Sequence, residues 1–246
     1  MDRLLRPVCL AIVAGFVALP ARGASIASFS TAPVGDPPVP WKLVTLPRIA
    51  RHTRYAIVER EGAHVLRVEA DHSYGNLMHR FTQNDEPDVS TPILRWRWRV
   101  EAMNMHTDIT RRAGDDAPAR VCVLFDLPLE RLHSEDRFAV SMARAAFDPD
   151  LPAASICYVW DSHLAPGTWL PNAFVARVMQ LVLQRAPARA WKDEQRDLRL
   201  DFAAAFPYES ASGPFPSILA IGVSADGDNT GARSLAFFGD VSLRAE

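Results

Sequence analysis

Charged side chains gather in a few short segments whose spacing could build a binding site. Residues 93–100 alternate arginine with bulky apolar residues, so the arginines would share one face of a β-strand. Aspartates collect elsewhere, at 115–116, 161 and 226–228, each beside an apolar run. Guanidinium groups and carboxylates can together hold phosphates, carboxylates or sugar hydroxyls. The pattern predicts a mixed-charge site if folding brings these segments together, with a solvated sheet surface as the alternative for the arginines.

Aromatic and amide side chains complete the predicted site. Tyr158 and Trp160 alternate along one strand and could stack on a sugar ring, or they could belong to the core. Asn172 and Asn229 would add polar contacts. The predicted ligand-binding residues are Arg95, Arg97, Asp115, Asp116, Arg120, Tyr158, Trp160, Asp161, Asn172, Asp226, Asp228 and Asn229.

Residues 226–231 have the spacing of the first half of a calcium-binding loop. Asp226, Asp228 and Thr230 offer oxygen ligands, and Gly231 follows them. A helix–loop–helix calcium site is excluded, because Phe237 stands where that site needs a glutamate. Two alternatives stay open, a calcium ion bound between loops and a turn whose side chains bond to their own backbone. No other cofactor is predicted.

Motifs of several enzyme classes are missing from the sequence. It contains no Gly-x-Ser-x-Gly nucleophile, no His-Glu-x-x-His zinc motif, no dinucleotide-binding glycine pattern and no phosphate loop. Paired aspartates could still act as acid and base on a glycosidic bond. We predict non-catalytic binding of a small polar or carbohydrate-like ligand. A glycan-processing enzyme and a structural cell-envelope protein are the alternatives.

Strands would have to position most of these side chains. Short alternating or apolar runs, separated by turn residues, occur at 55–59, 65–70, 77–81, 93–100, 120–126, 155–161, 176–184, 219–225 and 235–243. Glu61-Gly62 predicts a hairpin turn, and helical spacing occurs at 129–147 and 197–206. The pattern predicts a mainly β fold, an antiparallel β-sandwich or jelly roll with one or two peripheral helices. We expect one domain over 41–246, after a proline-rich lead at 24–40.

Composition limits the partners of the chain. Its 246 residues include 27 Lys and Arg against 29 Asp and Glu, which gives a net charge of −2. Nucleic acid and anionic membranes recruit strongly basic surfaces, so neither is expected as a partner. After residue 23 no stretch is long and apolar enough to span a membrane. The sequence does not define an oligomeric state.

The first 23 residues predict a cleaved secretory signal. Arg3 and Arg6 precede an apolar run at 8–19 that is too short to span a bilayer, and Ala21-Arg22-Gly23 supplies small residues for cleavage. A periplasmic or secreted protein follows, with an uncleaved anchor helix as the alternative. An oxidising compartment permits a disulfide between Cys122 and Cys157, although two buried free thiols are equally compatible with the sequence.

Several motifs in the same order resemble domain-of-unknown-function family 3047, a family of exported bacterial proteins. The resemblance rests on the segments 95–98 (Arg-Trp-Arg-Trp), 114–120, 157–161, 170–172 and 226–231, and on Gly239-Asp240. It extends from about Trp41 to Asp240 and implies fold and location rather than a reaction. The closing segment 236–243 is also similar to the last strand of galactose-binding-like β-sandwiches, a likeness at the level of fold.

Overall fold

The computed structural model describes residues 24–47, 49–82, 92–146 and 148–244, so the predicted signal at 1–23 lies outside the described residues. The helices are α1 (Ser134–Ala146), α2 (Leu198–Ala205) and α3 (Pro207–Ala211), and 3-10 turns occur at Phe29–Thr31, Arg112–Gly114 and Leu129–Arg131. The strands of the described chain are β1 (Ala24–Ala27), β2 (Lys42–Val44), β3 (Arg54–Arg60), β4 (Ala63–Asp71), β5 (Asn76–Arg80), β6 (Ile93–Ala102), β7 (Ala119–Asp126), β8 (Ala154–Asp161), β9 (Trp169–Pro171), β10 (Val178–Arg185), β11 (Ala188–Asp197), β12 (Ser217–Ser224), β13 (Arg233–Phe238) and β14 (Val241–Arg244).

One sheet, here called sheet 1, is centred on β6. Its order is β1-β14-β6-β13-β4-β3, and β11 also pairs with β6. Strands β14 and β13 pair with residues 93–95 and 98–102 of β6, whereas β11 pairs with residues 93–100. Since β11 overlaps both partners, it must lie along the opposite edge of β6. The hairpin between β3 and β4 turns at Glu61 and Gly62, both with positive φ, which confirms the predicted turn.

The second sheet, sheet 2, has the order β2-β5-β12-β7-β8-β10-β9. Its neighbouring strands are antiparallel except for β8 and β10, which run parallel. Cys122 of β7 and Cys157 of β8 lie directly opposite each other and form a disulfide. The two cysteines are therefore paired rather than free.

The core lies between the two sheets and confirms the predicted β-sandwich. Trp96 and Trp98 of β6 meet Tyr158 and Trp160 of β8, with ring centroids 5.1 Å apart for Trp96–Tyr158 and 5.5 Å apart for Trp98–Trp160. All four side chains are almost completely buried. The alternation in β6 places its tryptophans inward, so Arg95 and Arg97 point away from the core.

The predicted strand at 235–243 is divided into β13 and β14. The backbone N–H of Gly239 donates to the carbonyl of Arg97 at 2.9 Å. The carboxylate of Asp240 accepts hydrogen bonds from the backbone N–H and the hydroxyl of Ser30, at 2.8 and 2.6 Å. These contacts interrupt the strand and allow its two halves to pair with different parts of β6.

Both predicted helical regions contain helices with different limits. At 197–206 the helix is α2, and the Asp197 side chain caps its start by accepting from the N–H groups of Arg199 and Leu200. At 129–147 a 3-10 turn precedes α1, because Leu132 is extended and interrupts the helical backbone. Phe147 lies outside the described residues. None of the helices described has the length and apolar character that a membrane crossing requires.

Candidate functional site

The predicted site residues fall into two separate groups on different sheets. Arg95 and Arg97 line a cleft on the outer face of sheet 1, which we call the sheet 1 cleft. Arg120 lies on β7, where Val121, Val123 and Phe125 face the core, so Arg120 belongs to the outer face of sheet 2. The expectation that all predicted arginines and aspartates converge is therefore wrong, because the two sheets turn their arginines in opposite directions.

The sheet 1 cleft has a volume of about 520 Å³, within the range of small-molecule sites. Strands β6 and β11 form its floor, and the β3–β4 hairpin and the Gly239–Asp240 link contribute its walls. In the register of β6 and β11, Asp193 stands opposite Arg97 and Gln195 opposite Arg95. Because residues paired across two strands place their side chains on the same face of the sheet, these four polar groups form two adjacent cross-strand pairs on the cleft floor.

Arg97 is held by stacking rather than by an ion pair. Its guanidinium lies 4.1 Å from the centroid of the Trp191 ring, and it donates no hydrogen bond to any residue that the structure describes. The side chain runs close past Gly239, where an added Cβ would overlap Arg97 Cγ. Glycine at this position therefore leaves room for the arginine stem, while Trp191 orients the guanidinium and leaves its N–H groups available.

Neighbouring groups of the cleft are tied to the protein. Arg95 Nε donates to Gln195 Oε1 at 2.9 Å. Glu61 accepts from Arg99 Nη1 at 2.6 Å and from Trp191 Nε1 at 3.1 Å, and these hydrogen bonds lower the pKa of the Glu61 carboxyl below its usual range. Asp193, in contrast, has no hydrogen bond or ion pair within the described chain. The cleft thus presents a free guanidinium and a free carboxylate side by side.

The second group, the Arg120 cluster, consists of Arg120, Asp115, Asp116, Asp226, Asp228, Asn172, Asn229 and Thr230. Arg120 is buried and bonds to Asp115 at 2.8 Å and to Asp226 through a second short contact. Asn172 Nδ2 donates to Asp115 at 2.5 Å, and the Ala117 N–H donates to Asp226 at 2.6 Å. Arg120 thereby fastens the loop before β7 to the loop after β12.

Asp116 organises the 226–231 loop in a way that the sequence did not predict. Its carboxylate accepts from the backbone N–H and hydroxyl of Thr230, at 2.7 and 2.5 Å, and from the backbone N–H and amide of Asn229, at 3.2 and 3.3 Å. The Thr230 hydroxyl therefore caps Asp116 instead of joining Asp226 and Asp228 as a predicted metal ligand. Among the described residues, the carboxylates that the fold brings together are those of Asp116, Asp226 and Asp228, whose oxygens lie within 4.8 Å of one another and could hold a metal ion.

Electrostatics in the Arg120 cluster favour added positive charge. Burial raises the pKa of Asp226 to about 7, although Arg120 and the Ala117 N–H act in the opposite direction. Burial also raises the pKa of Asp228, and the charge of Asp116 adds to this effect. The cluster holds four carboxylates and one guanidinium, which contacts only Asp115 and Asp226, and the buried Asp228 Oδ1 has no partner among the described atoms. A cation would stabilise this arrangement.

Three predicted site residues have structural roles instead. Tyr158 and Trp160 are fully buried, so neither ring can stack on a ligand. The Tyr158 hydroxyl donates to Asp201 at 2.6 Å, and Trp160 Nε1 donates to the carbonyl of Ala186 at 2.7 Å. Asp161 accepts from the backbone N–H of His163 at 2.7 Å and forms a turn after β8, outside both groups.

Sequence reasoning missed the residues on β11 that complete the sheet 1 cleft, namely Trp191, Asp193 and Gln195. This segment carries charged or amide residues at most positions, so it shows neither an apolar run nor a clear alternation. Trp191 was the available signal, since a single tryptophan in a polar segment often marks a partly buried anchor.

Comparisons with known proteins concern family and fold. The family model described as protein of unknown function (DUF3047) matches residues 39–242, and no curated protein matches the sequence. The structure is similar to the glycoside hydrolase domain of Endo-D from Streptococcus pneumoniae, with a TM-score of 0.32 and 10% identity; the match covers 83% of this chain but 21% of that one. The chain therefore spans about a fifth of that protein's length.

Two other solved structures are matched over most of their length. One is the catalytic domain of Humicola grisea Cel12A, with a TM-score of 0.36, 12% identity, and coverage of 78% of this chain and 86% of that chain. The other is a family 12 xyloglucanase from Bacillus licheniformis, with a TM-score of 0.35, 8% identity, and coverage of 89% and 91%. Likeness at this level concerns the fold and carries no argument about activity.

Proposed function

Because the chain belongs to the DUF3047 family, which has no assigned activity, we propose a function from its own site: the sheet 1 cleft binds a small polyhydroxylated, carbohydrate-like ligand without catalysing a reaction. The observation that carries this proposal is the pair of charged groups on the cleft floor that make no hydrogen bond or ion pair with the described residues. Arg97 offers N–H donors and Asp193 offers carboxylate acceptors, opposite each other across β6 and β11. Adjacent sugar hydroxyls need both a donor and an acceptor, which this pair supplies.

The hydrogen bonding of two other cleft carboxylates, those of Glu61 and Asp240, supports binding over catalysis. Glycoside hydrolysis needs one carboxylic acid that keeps its proton until it reaches the leaving group. The hydrogen bonds from Arg99 and Trp191 lower the pKa of Glu61, so this carboxylate stays ionised near neutral pH. Asp240 is occupied by Ser30. Neither side chain suits the role of proton donor.

The proposal is tested by titrating the protein with a panel of neutral mono- and oligosaccharides in a calorimeter. At least one sugar should bind, and Arg97→Gln should weaken its binding about tenfold through loss of charged hydrogen bonds. Arg189→Gln is the matched control, because Arg189 is an exposed arginine of β11 outside the cleft. Equal affinity of the wild type and Arg97→Gln, or binding of no sugar, would overturn the proposal. Release of reducing ends that Asp193→Asn abolishes would favour the enzyme alternative.

Calcium binding at the Arg120 cluster is a second function, favoured by the three converging carboxylates of Asp116, Asp226 and Asp228. Oxygen ligands of this kind suit Ca²⁺. Calcium chloride should raise the melting temperature, and Asp228→Asn should remove the rise, because Asp228 contributes a carboxylate but has no contact with Arg120. Asp193→Asn serves as the control. An unchanged melting temperature in the wild type would leave the cluster with a structural role.

Export is part of the same proposal. Cleavage after Gly23 would retain all the described residues of β1, Ala24–Ala27. Mass spectrometry of the protein recovered from the periplasm or medium of an expressing bacterium should find Ala24 at the N-terminus. Recovery of a chain that still begins at Met1 would instead support the uncleaved anchor.

A further inference from the structure

The charged side chains that line the sheet 1 cleft divide into those with partners in the protein and those without. Most of them form hydrogen bonds within the described chain, namely Arg60, Glu61, Arg95, Glu194 and Asp240. Arg97 and Asp193 form no hydrogen bond or ion pair with any residue that the structure describes. The two charged groups left for a ligand are therefore opposite in sign.

Arg97 and Asp193 are also cross-strand partners, yet they do not bind each other. Such partners in antiparallel strands have Cβ atoms about 5 Å apart, where opposite charges attract. The register pairs Asp193 of β11 with Arg97 of β6, but no ion pair joins these two described side chains. A cross-strand pair of this kind that stays open keeps both charges available to a ligand.

Two contacts hold the Arg97 side chain away from Asp193. Its Cγ and Cδ atoms lie beside Gly239, in the link between β13 and β14, and these strands pair along the edge of β6 opposite to β11. Its guanidinium stacks on the Trp191 ring, 4.1 Å from the centroid. Stacking on an aromatic ring stabilises a guanidinium without occupying its N–H donors. The separation of the two charges is thus built into the cleft.

The charge of a ligand decides how well it satisfies this pair. Hydrogen bonds to ionised groups are roughly twice as strong as those between neutral groups. A neutral polyol would cover the guanidinium and the carboxylate with hydroxyl dipoles alone. A singly charged ligand would compensate one of them and leave the other covered without a counter-charge, which is unfavourable. A ligand that carries one carboxylate and one ammonium group compensates both.

We infer that the sheet 1 cleft prefers a zwitterionic polyol of the amino-sugar acid class, with its carboxylate on Arg97 and its ammonium group on Asp193. The inference rests on the proposed function, because the hydroxyls of this ligand need the same polyol site. The two side chains project from directly opposed positions of neighbouring strands. The carboxylate and the ammonium group should therefore be attached to the same carbon atom of the ligand or to adjacent ones.

The test is calorimetric titration of the full protein, at neutral pH and constant ionic strength, with a matched series of open-chain six-carbon polyols. Glucitol is neutral, gluconate is an anion, glucosaminitol is a cation, and glucosaminate carries both charges. Glucosaminate should bind at least about tenfold more tightly than each of the others, because it alone offers a counter-charge to both side chains.

Two variants assign each charge of the ligand to its side chain. Arg97→Gln should bind glucosaminate no more tightly than glucosaminitol, because the carboxylate has lost its cation. Asp193→Asn should bind glucosaminate no more tightly than gluconate, because the ammonium group has lost its anion. Arg189→Gln and Asp150→Asn are the matched controls, since both side chains are exposed and lie outside the cleft.

The outcomes distinguish failure of the inference from failure of the proposed function. Glucitol that binds as tightly as glucosaminate would overturn the inference and leave the proposed function standing. A preference for glucosaminate that survives in both variants would contradict the inference in the same way. Norleucine has the same carbon chain and the same two charges but no hydroxyl groups along it. Equal binding of norleucine and glucosaminate would therefore overturn the proposed function together with the inference.

Discussion

Arg97 and Arg120 show how the same side chain can serve ligand or scaffold. Arg97 stacks on Trp191 in an open cleft and keeps its donors free. Arg120 is buried, and Asp115 and Asp226 occupy its donors. Removing a partner from a buried ion pair costs about 3–5 kcal/mol, whereas an exposed cation contributes little to stability. The second arginine therefore belongs to the stability of the protein, and the first is available for function.

The pH dependence of stability should report on Asp226. Burial raises the pKa of Asp226 to about 7 in the folded protein, above its value in the unfolded chain. Between about pH 4 and pH 7 the folded state then holds a proton that the unfolded state has released, so the unfolding free energy falls as pH rises, by at most about 1.4 kcal/mol per pH unit. Urea unfolding should show a smaller fall for Asp226→Asn than for the wild type. Parallel curves for the two proteins would contradict this prediction, and Asp193→Asn is the control.

At the scale of elements, β6 was predictable and β11 was not. The alternation of tryptophan and arginine in β6 predicts which face of the strand is buried, because the large apolar rings favour the core. In β11 the polar side chains carry no such signal, and its strand conformation follows from pairing with β6. The sheet 1 cleft therefore exists because a polar segment covers the edge of the most strongly patterned strand in the chain.

Gly222 in β12 and Gly227 in the loop after it both lie where a side chain would meet a neighbouring residue. A Cβ on Gly222 would overlap the flexible end of the Met78 side chain on neighbouring β5, which can move aside, so Gly222→Ala should cost about 1 kcal/mol by overpacking. Met78→Ala should recover part of this loss, and urea unfolding of the two single variants and the double variant measures the coupling. Gly227 is the contrast, since a Cβ there would overlap the Ala232 carbonyl, which no side-chain truncation can relieve. Additive losses for Gly222→Ala and Met78→Ala would disprove the contact.

The sheet 1 cleft and the Arg120 cluster lie apart because a β-sandwich has two outer faces. Sheet 1 turns Arg95 and Arg97 outward on one side, and sheet 2 turns Arg120 outward on the other. The packed core between them is about 10 Å thick, so side chains on the two faces cannot share a ligand of small size.

The N-terminal segment should contribute to this assembly. Strand β1 pairs with β14, and Phe29 is fully buried against Trp41 with ring centroids 5.5 Å apart. A chain that begins at Pro33 should be less stable in urea than one that begins at Ala24, by at least the roughly 3–5 kcal/mol expected for loss of a buried phenylalanine. Phe29→Ala in the longer chain should reproduce most of the loss. Equal unfolding free energies for the two chains would contradict the packing role of the segment.

The amino-acid sequence by itself determined the mainly β fold, the inward tryptophans and outward arginines of β6, and the hairpin at Glu61-Gly62. These features are local, since alternation and turn chemistry depend on neighbouring residues. The disulfide, the split of the last predicted strand and the role of Thr230 depended on contacts between distant segments. Only the tertiary structure decided which charged residues meet, because each strand can turn its polar face to either side of the sandwich. It placed Arg97 with Asp193, and Arg120 with Asp226, on opposite faces of the protein.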